Sequence, residues 1–209
     1  MDSAKPKSIL VSFDGPKGVG KSTLIKAVFA TLKSKVSIAM LSEKELDHNR
    51  SVVENLLKKY RFDSSEKTDR EILLQLAKNR ALITQTGFDN SDSSIILLDR
   101  WYPSDVVFRR HLSVSECLTA NLEAGCRVPD LILAITCDPR ISWDRANSRS
   151  RGLDSLVIGD FEEHEQSCCA FDSAARMYHW TLVDTEQPVT EIAKEVAALV
   201  LKTFQTLRH

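Results

Sequence analysis

The sequence predicts an α/β fold of three layers, with a parallel sheet of roughly five strands flanked by helices. Three observations carry that expectation. A short β-rich apolar run at 9–13 passes through a glycine loop into a helix with Leu24, Ala27, Val28 and Leu32 on one face. The runs at 95–98 and 131–137 are continuously apolar, which suits strands buried on both faces of a parallel sheet. Strands alternate with helices throughout, without repeats or linkers, so the 209 residues are read as one doubly wound domain, 1–209.

The elements follow in order. A second strand is expected at 36–41, after which polar residues rise and the pattern blurs as far as Ser65. Thr68-Asp69-Arg70-Glu71 has capping-box form ahead of Ile72, Leu73, Leu76, Ala77 and Ile83, predicting a helix up to Gly87. Ser113 to Glu116 opens another helix by the same logic. Asp138-Pro139 caps a helix to about Arg149, with proline in its first turn. The stretch 149–159 is polar, without apolar period, and is read as a mobile lid; Asp160 then caps the next helix. A last strand near 181–183 leads to a C-terminal helix with Val189, Ile192, Val196, Leu199 and Val200 on one stripe.

A formal net charge of −1 argues against a broad surface for nucleic-acid polymers and leaves room for a small anionic ligand. The five cysteines are odd in number, include no C-x-x-C pair and lack metal-ligand spacing to the histidines. Reduced thiols in a cytoplasmic protein are the simplest reading. The N-terminal apolar run lacks a cleavage site, and no apolar segment approaches the ~20 residues that cross a bilayer, so neither export nor a membrane partner is expected.

Gly15, Pro16, Lys17, Gly18, Val19, Gly20, Lys21, Ser22 and Thr23 match G-x-x-x-x-G-K-S at every fixed position, between a strand and a helix. Glycines let backbone N–H groups turn inward around phosphate oxygens, and the positive end of the following helix adds to the attraction. Lys21 is expected to reach the β- and γ-phosphates, and the Ser22 hydroxyl to coordinate Mg²⁺.

In a parallel sheet ligands sit at the carboxyl ends of strands. Asp99 and Arg100 follow the apolar run there, as a metal-shell carboxylate and a phosphate-clamping fork; an ion pair between neighbours is the plainer alternative. Asp138 also ends a strand, but its proline makes it a helix cap. Arg80 recurs on the apolar face of its helix, where a guanidinium needs a partner or must snorkel to water. Arg145, Arg149 and Arg151 cluster from a helix into the polar stretch, where arginines can close on the charge of a phosphoryl-transfer transition state.

Taken together, Phe13-Asp14-Gly15 with its loop, Asn79-Arg80, Asp99-Arg100-Trp101-Tyr102-Pro103-Ser104, Pro129-Asp130-Leu131, Asp144-Arg145 and Val183-Asp184-Thr185-Glu186-Gln187-Pro188 resemble the thymidylate kinase family over nearly the whole chain. The resemblance implies a P-loop nucleoside monophosphate kinase that moves the γ-phosphoryl group of ATP, with Mg²⁺, to a pyrimidine nucleotide, usually as a homodimer. It implies adenine contacts at Arg145, Thr185 and Gln187, and acceptor contacts at Asp14, Leu76, Arg80, Arg100, Tyr102, Phe108 and Arg109. Gly18 stands where one branch carries a loop arginine, so the catalytic arginine is expected on the lid, at Arg149 or Arg151.

The chain departs from that pattern on the acceptor side. The second-strand R-E-P-G segment is replaced by Leu41-Ser42-Glu43-Lys44-Glu45; Lys17 stands for an aspartate, Leu76 for an aromatic and Arg109 for a glutamine. These changes favour a cytidine- or uridine-type monophosphate, with or without a ring modification, over dTMP. A kinase for a nucleoside or other small alcohol, and a nucleotide switch without transfer activity, stay open beside it.

Overall fold

The computed structural model describes residues 8–86, 88, 92–148 and 156–208. Five parallel strands form one sheet: β1 (Ile9–Asp14), β2 (Ile38–Ser42), β3 (Ile95–Asp99), β4 (Leu131–Thr136) and β5 (Thr181–Asp184), in the order β2-β3-β1-β4-β5. The helices among the described residues are α1 (Lys21–Leu32), α2 (Glu43–Leu46), α3 (Arg50–Tyr60), α4 (Glu66–Thr86), α5 (Asp105–Phe108), α6 (Val114–Glu123), α7 (Pro139–Asn147), α8 (Phe161–Met177) and α9 (Val189–Thr206). A 3₁₀ turn, Tyr102–Ser104, precedes α5.

β1 is the middle strand and is buried along its whole length. Its alternate residues divide the core. Ile9, Val11 and Phe13 join Ile95, Leu97 and Leu133 against α1 and α9, while Leu10 joins Ile96 and Leu98 on the opposite face with Ile83 of α4 and Leu118 of α6. Period-two alternation between two covered faces is why these strands read as continuous apolar runs. Phe13 pairs in register with Asp99 of β3 and Leu133 of β4, so Asp14 and Asp99 leave the sheet side by side at its carboxyl edge.

Most helix starts lie where local chemistry puts them. Ser113 and Glu116 make a reciprocal capping box on α6, Asp138 accepts from the N–H groups of Arg140 and Ile141 at the start of α7, and Asp160 accepts from Glu163 on α8. The region between β2 and residue 65, where no pattern stood out, contains α2 and α3. Only Val53 and Tyr60 of α3 are buried, so its polar residues mask a helical stripe. The start of α4 also differs from expectation. Thr68 lies inside the helix, fully buried, with its hydroxyl on Asp63 at 3.0 Å; Ser65 Oγ accepts from Thr68 N at 3.3 Å, and Glu71 pairs outward with Lys59. The cap is therefore Ser65, three residues earlier.

Leu97 lies in β3 between two paired strands with no accessible surface, whereas Leu122 on α6 is 48% exposed. Leu97→Ala is expected to cost about 2–5 kcal/mol in urea unfolding, from lost transfer energy plus an unfilled cavity. Leu122→Ala is expected to stay within about 0.5 kcal/mol of wild type in the same measurement.

Candidate active site

The loop after β1 is shaped by two close approaches. A Cβ on Gly15 would lie 2.3 Å from the Ile135 carbonyl oxygen of β4, and one on Gly18 would lie 1.9 Å from that of Ser142 on α7; both residues have positive φ, at 147° and 80°. Only glycine fits either position. Ser142 is itself fixed from α8, with its hydroxyl 2.7 Å from His164 Nε2. Burial, reinforced by the charge of Lys21, holds the His164 imidazole below its ordinary pKa. Gly20 caps α1 without a side-chain acceptor, so the helix presents first-turn N–H groups to the loop. The Lys21 ammonium is buried and donates to the carbonyls of Gly15, at 2.9 Å, and Pro16.

On the exposed side of the loop, Ser22 Oγ donates to Asp99 Oδ2 at 3.2 Å. A hydroxyl and a carboxylate in contact are the hard oxygen donors that suit Mg²⁺. A cavity of about 370 Å³ brings Gly18, Gly20, Thr23, Arg145, Thr185 and Gln187 together. Thr185 anchors it: its hydroxyl lies 2.6 Å from the Val19 carbonyl, and its own carbonyl lies 3.4 Å from Arg145 Nη2. Pro16 and Val19 do not line this cavity. The Val19 side chain is in the core, and both residues border a separate cavity near Cys137 and Cys168. Arg149 and Arg151 lie outside the described residues, as does most of the stretch expected to form a lid.

A second cavity, about 380 Å³, opens on the other side of the loop between α3, α4 and α5. Lys17, Leu76, Arg80, Arg100, Phe108 and Arg109 line it. Arg100 ties it to the loop: its Nη1 donates to the Gly15 carbonyl at 2.8 Å and Ser104 Oγ at 3.2 Å, and its guanidinium stacks over the Phe108 ring at 5.1 Å. Arg100 also holds a left-handed backbone, φ 69°, which costs a non-glycine residue about 1–3 kcal/mol and concentrates at functional sites.

Two expected acceptor contacts lie elsewhere. Tyr102 packs in the core beside Leu10 and Trp101. Asp14 is fully buried, where its Oδ1 accepts from Trp101 N at 2.8 Å and Ser104 Oγ at 2.7 Å. It therefore supports the turn that carries Arg100 rather than meeting the cavity. Arg80 lines the cavity but is saturated: Nε donates to Glu43 at 2.8 Å, Nη1 and Nη2 grip Asp105 at 2.5 and 3.1 Å, and Nη1 also reaches Asn121 at 2.9 Å. Burial alone would disfavour its charge, but Asp105 and Glu43 outweigh that and hold it above the ordinary arginine range. Asp105 and Asn121, and Arg50 on the cavity wall, are not among the residues the sequence singles out, and Glu43 and Lys44 enter it only in the segment that replaces R-E-P-G. The spacing of Val53, Leu56, Leu57 and Tyr60 was the one signal that could have exposed α3 and its arginine.

Burial pushes the Asp14 carboxyl up from 3.8 to about 6, against hydrogen bonds from Ser104 and Trp101 that favour the anion. A carboxyl with a raised folded-state pKa binds its proton more tightly folded than unfolded, so stability falls as pH climbs from about 4 to 6 and the loss is complete above it. Asp14→Asn keeps an acceptor for both donors and removes the titration. Urea unfolding is expected to show wild type losing about 3 kcal/mol relative to Asp14→Asn between pH 3.5 and 7.5.

A profile of the thymidylate kinase family matches residues 13–196. The thymidylate kinase of Leuconostoc mesenteroides is 22% identical over 207 residues, spanning 93% of this chain and 96% of its own, and that of Bacillus thuringiensis is 22% identical over 203 residues, spanning 93% and 97%. A crystal structure of thymidylate kinase from Ehrlichia chaffeensis superposes with a TM-score of 0.65 at 17% identity, covering 94% of this chain and 99% of that one, which establishes a common fold. The profile begins in the middle strand and runs into the last helix, so the chain belongs to the thymidylate kinase family and is a nucleoside monophosphate kinase.

Proposed function

We propose that this chain transfers the γ-phosphoryl group of ATP to the phosphate of a pyrimidine nucleoside monophosphate, dTMP or a related nucleotide with or without a ring modification. The observation that carries the proposal is one loop with a cavity on each side and the Ser22–Asp99 oxygen pair beside it. An acceptor phosphate oxygen attacks the γ-phosphorus, the bond from that phosphorus to the β,γ-bridging oxygen breaks, and ADP leaves with the electron pair. Ser22 and Asp99 would hold Mg²⁺, which neutralises charge building on the phosphates. Gly15 to Thr23 supply backbone donors to ATP, Lys21 follows the transferring group, and Arg145, Thr185 and Gln187 face the adenine. Arg100 clamps the acceptor phosphate from the cavity side, and Arg149 or Arg151 closes on the transition state.

The missing second-strand arginine would favour an acceptor without a phosphate. Lys17, Lys44 and Arg50 in the same cavity weigh against that, because they supply the cationic surroundings a monophosphate requires. A second copy of this chain is the proposed macromolecular partner, through a face that includes Leu74 and Leu82, exposed eight positions apart on α4. No helix among the described residues is long and apolar enough to cross a membrane.

Lys21→Ala is expected to lower kcat at least about 10²-fold with any acceptor in a coupled ADP-release assay, since no other loop side chain carries charge to that point. Retention of most of the wild-type rate would refute the catalytic assignment of the loop. Leu74→Glu with Leu82→Glu is expected to shift the wild-type dimer to monomer in sedimentation equilibrium, and an unchanged mass would rule out that face.

A further inference from the structure

The acceptor cavity contains two buried arginines in opposite states. Arg80 is saturated by Glu43, Asp105 and Asn121. Arg109, 3% exposed on the same wall, has an Nε and an Nη1 that donate no hydrogen bond. Its counter-ion is Asp69, 3.1 Å from Nη1 to Oδ1, but that oxygen also takes part in no hydrogen bond, so the two groups are near without being aligned. The other Asp69 oxygen is occupied by the backbone N–H of His111 at 3.0 Å. Beneath the guanidinium, 5.8 Å from its centre, lies the ring of Tyr60. Unmade hydrogen bonds of a buried cation are costly, and a group that supplied acceptors there would recover them.

Charge points the same way. Seven basic side chains line the cavity against Glu43, Glu54 and Asp105, in a chain whose net charge is only −1. Glu43 and Asp105 are committed to Arg80 and Glu54 lies 3.7 Å from Arg50, so positive charge is in excess on the cavity wall. The acceptor phosphate accounts for the charge near Arg100 and Lys17. Arg109 has a different setting: its guanidinium faces Asp69 of α4, whereas that of Arg100 is held on the loop at the Gly15 carbonyl.

We infer that the acceptor is a pyrimidine nucleotide whose base carries a carboxylate substituent, and that Arg109 is the residue that selects it. The inference rests on the kinase reading above. A planar carboxylate matches the guanidinium fork, and charge-assisted bonds of that kind are about twice as strong as neutral ones. A methyl group at the same place would leave the donors of Arg109 unpaired.

The test is the coupled ADP-release assay with full-length protein and dTMP, dUMP, 5-hydroxymethyl-dUMP, 5-carboxy-dUMP and orotidine 5′-monophosphate as acceptors. One of the two carboxylated nucleotides is expected to exceed dTMP in kcat/KM by about tenfold or more. Arg109→Gln is expected to reduce kcat/KM for that nucleotide at least about tenfold more than for dTMP, and Arg109→Lys to retain part of the preference. If dTMP or dUMP leads the wild-type series, the inference is wrong and the kinase reading stands. Equal losses on every acceptor in Arg109→Gln would make Arg109 a structural partner of Asp69 and also overturn it. Silence of wild type on every acceptor and on CMP and dCMP as well, with ATP binding retained in calorimetry, would remove the kinase reading and this inference together. Should the variants fail to fold, the wild-type ranking alone decides.

Discussion

A guanidinium withdrawn from water must have its N–H groups answered, and at Arg80 the answers come from three other parts of the chain. Glu43 reaches it from the start of α2, Asp105 from α5 and Asn121 from α6, while Arg80 itself stands on α4. Asn121 also donates to Asp105 Oδ2 at 3.0 Å, so the carboxylate and the amide hold each other as well as the arginine. Removing one partner of such a cluster leaves a stranded charge, which is why its members stay together although an apolar substitute for the whole set can be as stable. The cluster fixes α4 against the segment following β3, and thereby the wall on which Arg100, Phe108 and Arg109 stand. Its contribution to the acceptor side is alignment more than stability.

The loop side depends on proximity of backbone. Gly15 and Gly18 let the loop lie against the end of β4 and the first turns of α7, with the carbonyls of Ile135 and Ser142 where side chains would be. Thr185 closes the arrangement from beyond β5 by bonding to both Val19 and Thr136 carbonyls. The segments that follow three strands adjacent in the sheet, β1, β4 and β5, therefore meet at one loop, and the positions of Ser22 and Asp99 follow from the register of β1 on β3. In a packed interior such as this, a shift of one segment is transmitted to the others.

The parts legible in the sequence are those whose cause is local. The loop demands glycine, lysine and serine at set intervals, strands between two helical layers must be apolar throughout, and the caps at Ser113, Asp138 and Asp160 involve neighbours three residues away or fewer. Local form misled at Thr68, where a capping-box pattern occurs inside a helix and the hydroxyl turns back to Asp63 instead. α3 was illegible because it is buried only at Val53 and Tyr60 and otherwise serves as a polar wall. The roles of Arg80 and Asp14 were illegible for a further reason. Their partners lie 25 to 41 and 87 to 90 residues away, and nothing in the neighbourhood of either residue distinguishes a ligand-binding head from one absorbed by the fold.

Lys21 leads to a consequence for selectivity among anions. With its ammonium already on the carbonyls of Gly15 and Pro16, the cationic centre of the loop is engaged by groups that give up no translational freedom to be there. A small inorganic anion has to displace those carbonyls while bringing few contacts of its own. A nucleoside triphosphate arrives tethered to a base that can lodge beside Arg145 and Thr185, so its phosphates compete at high effective concentration. The loop thus acts as a guarded socket that abundant free phosphate occupies poorly and a nucleotide opens.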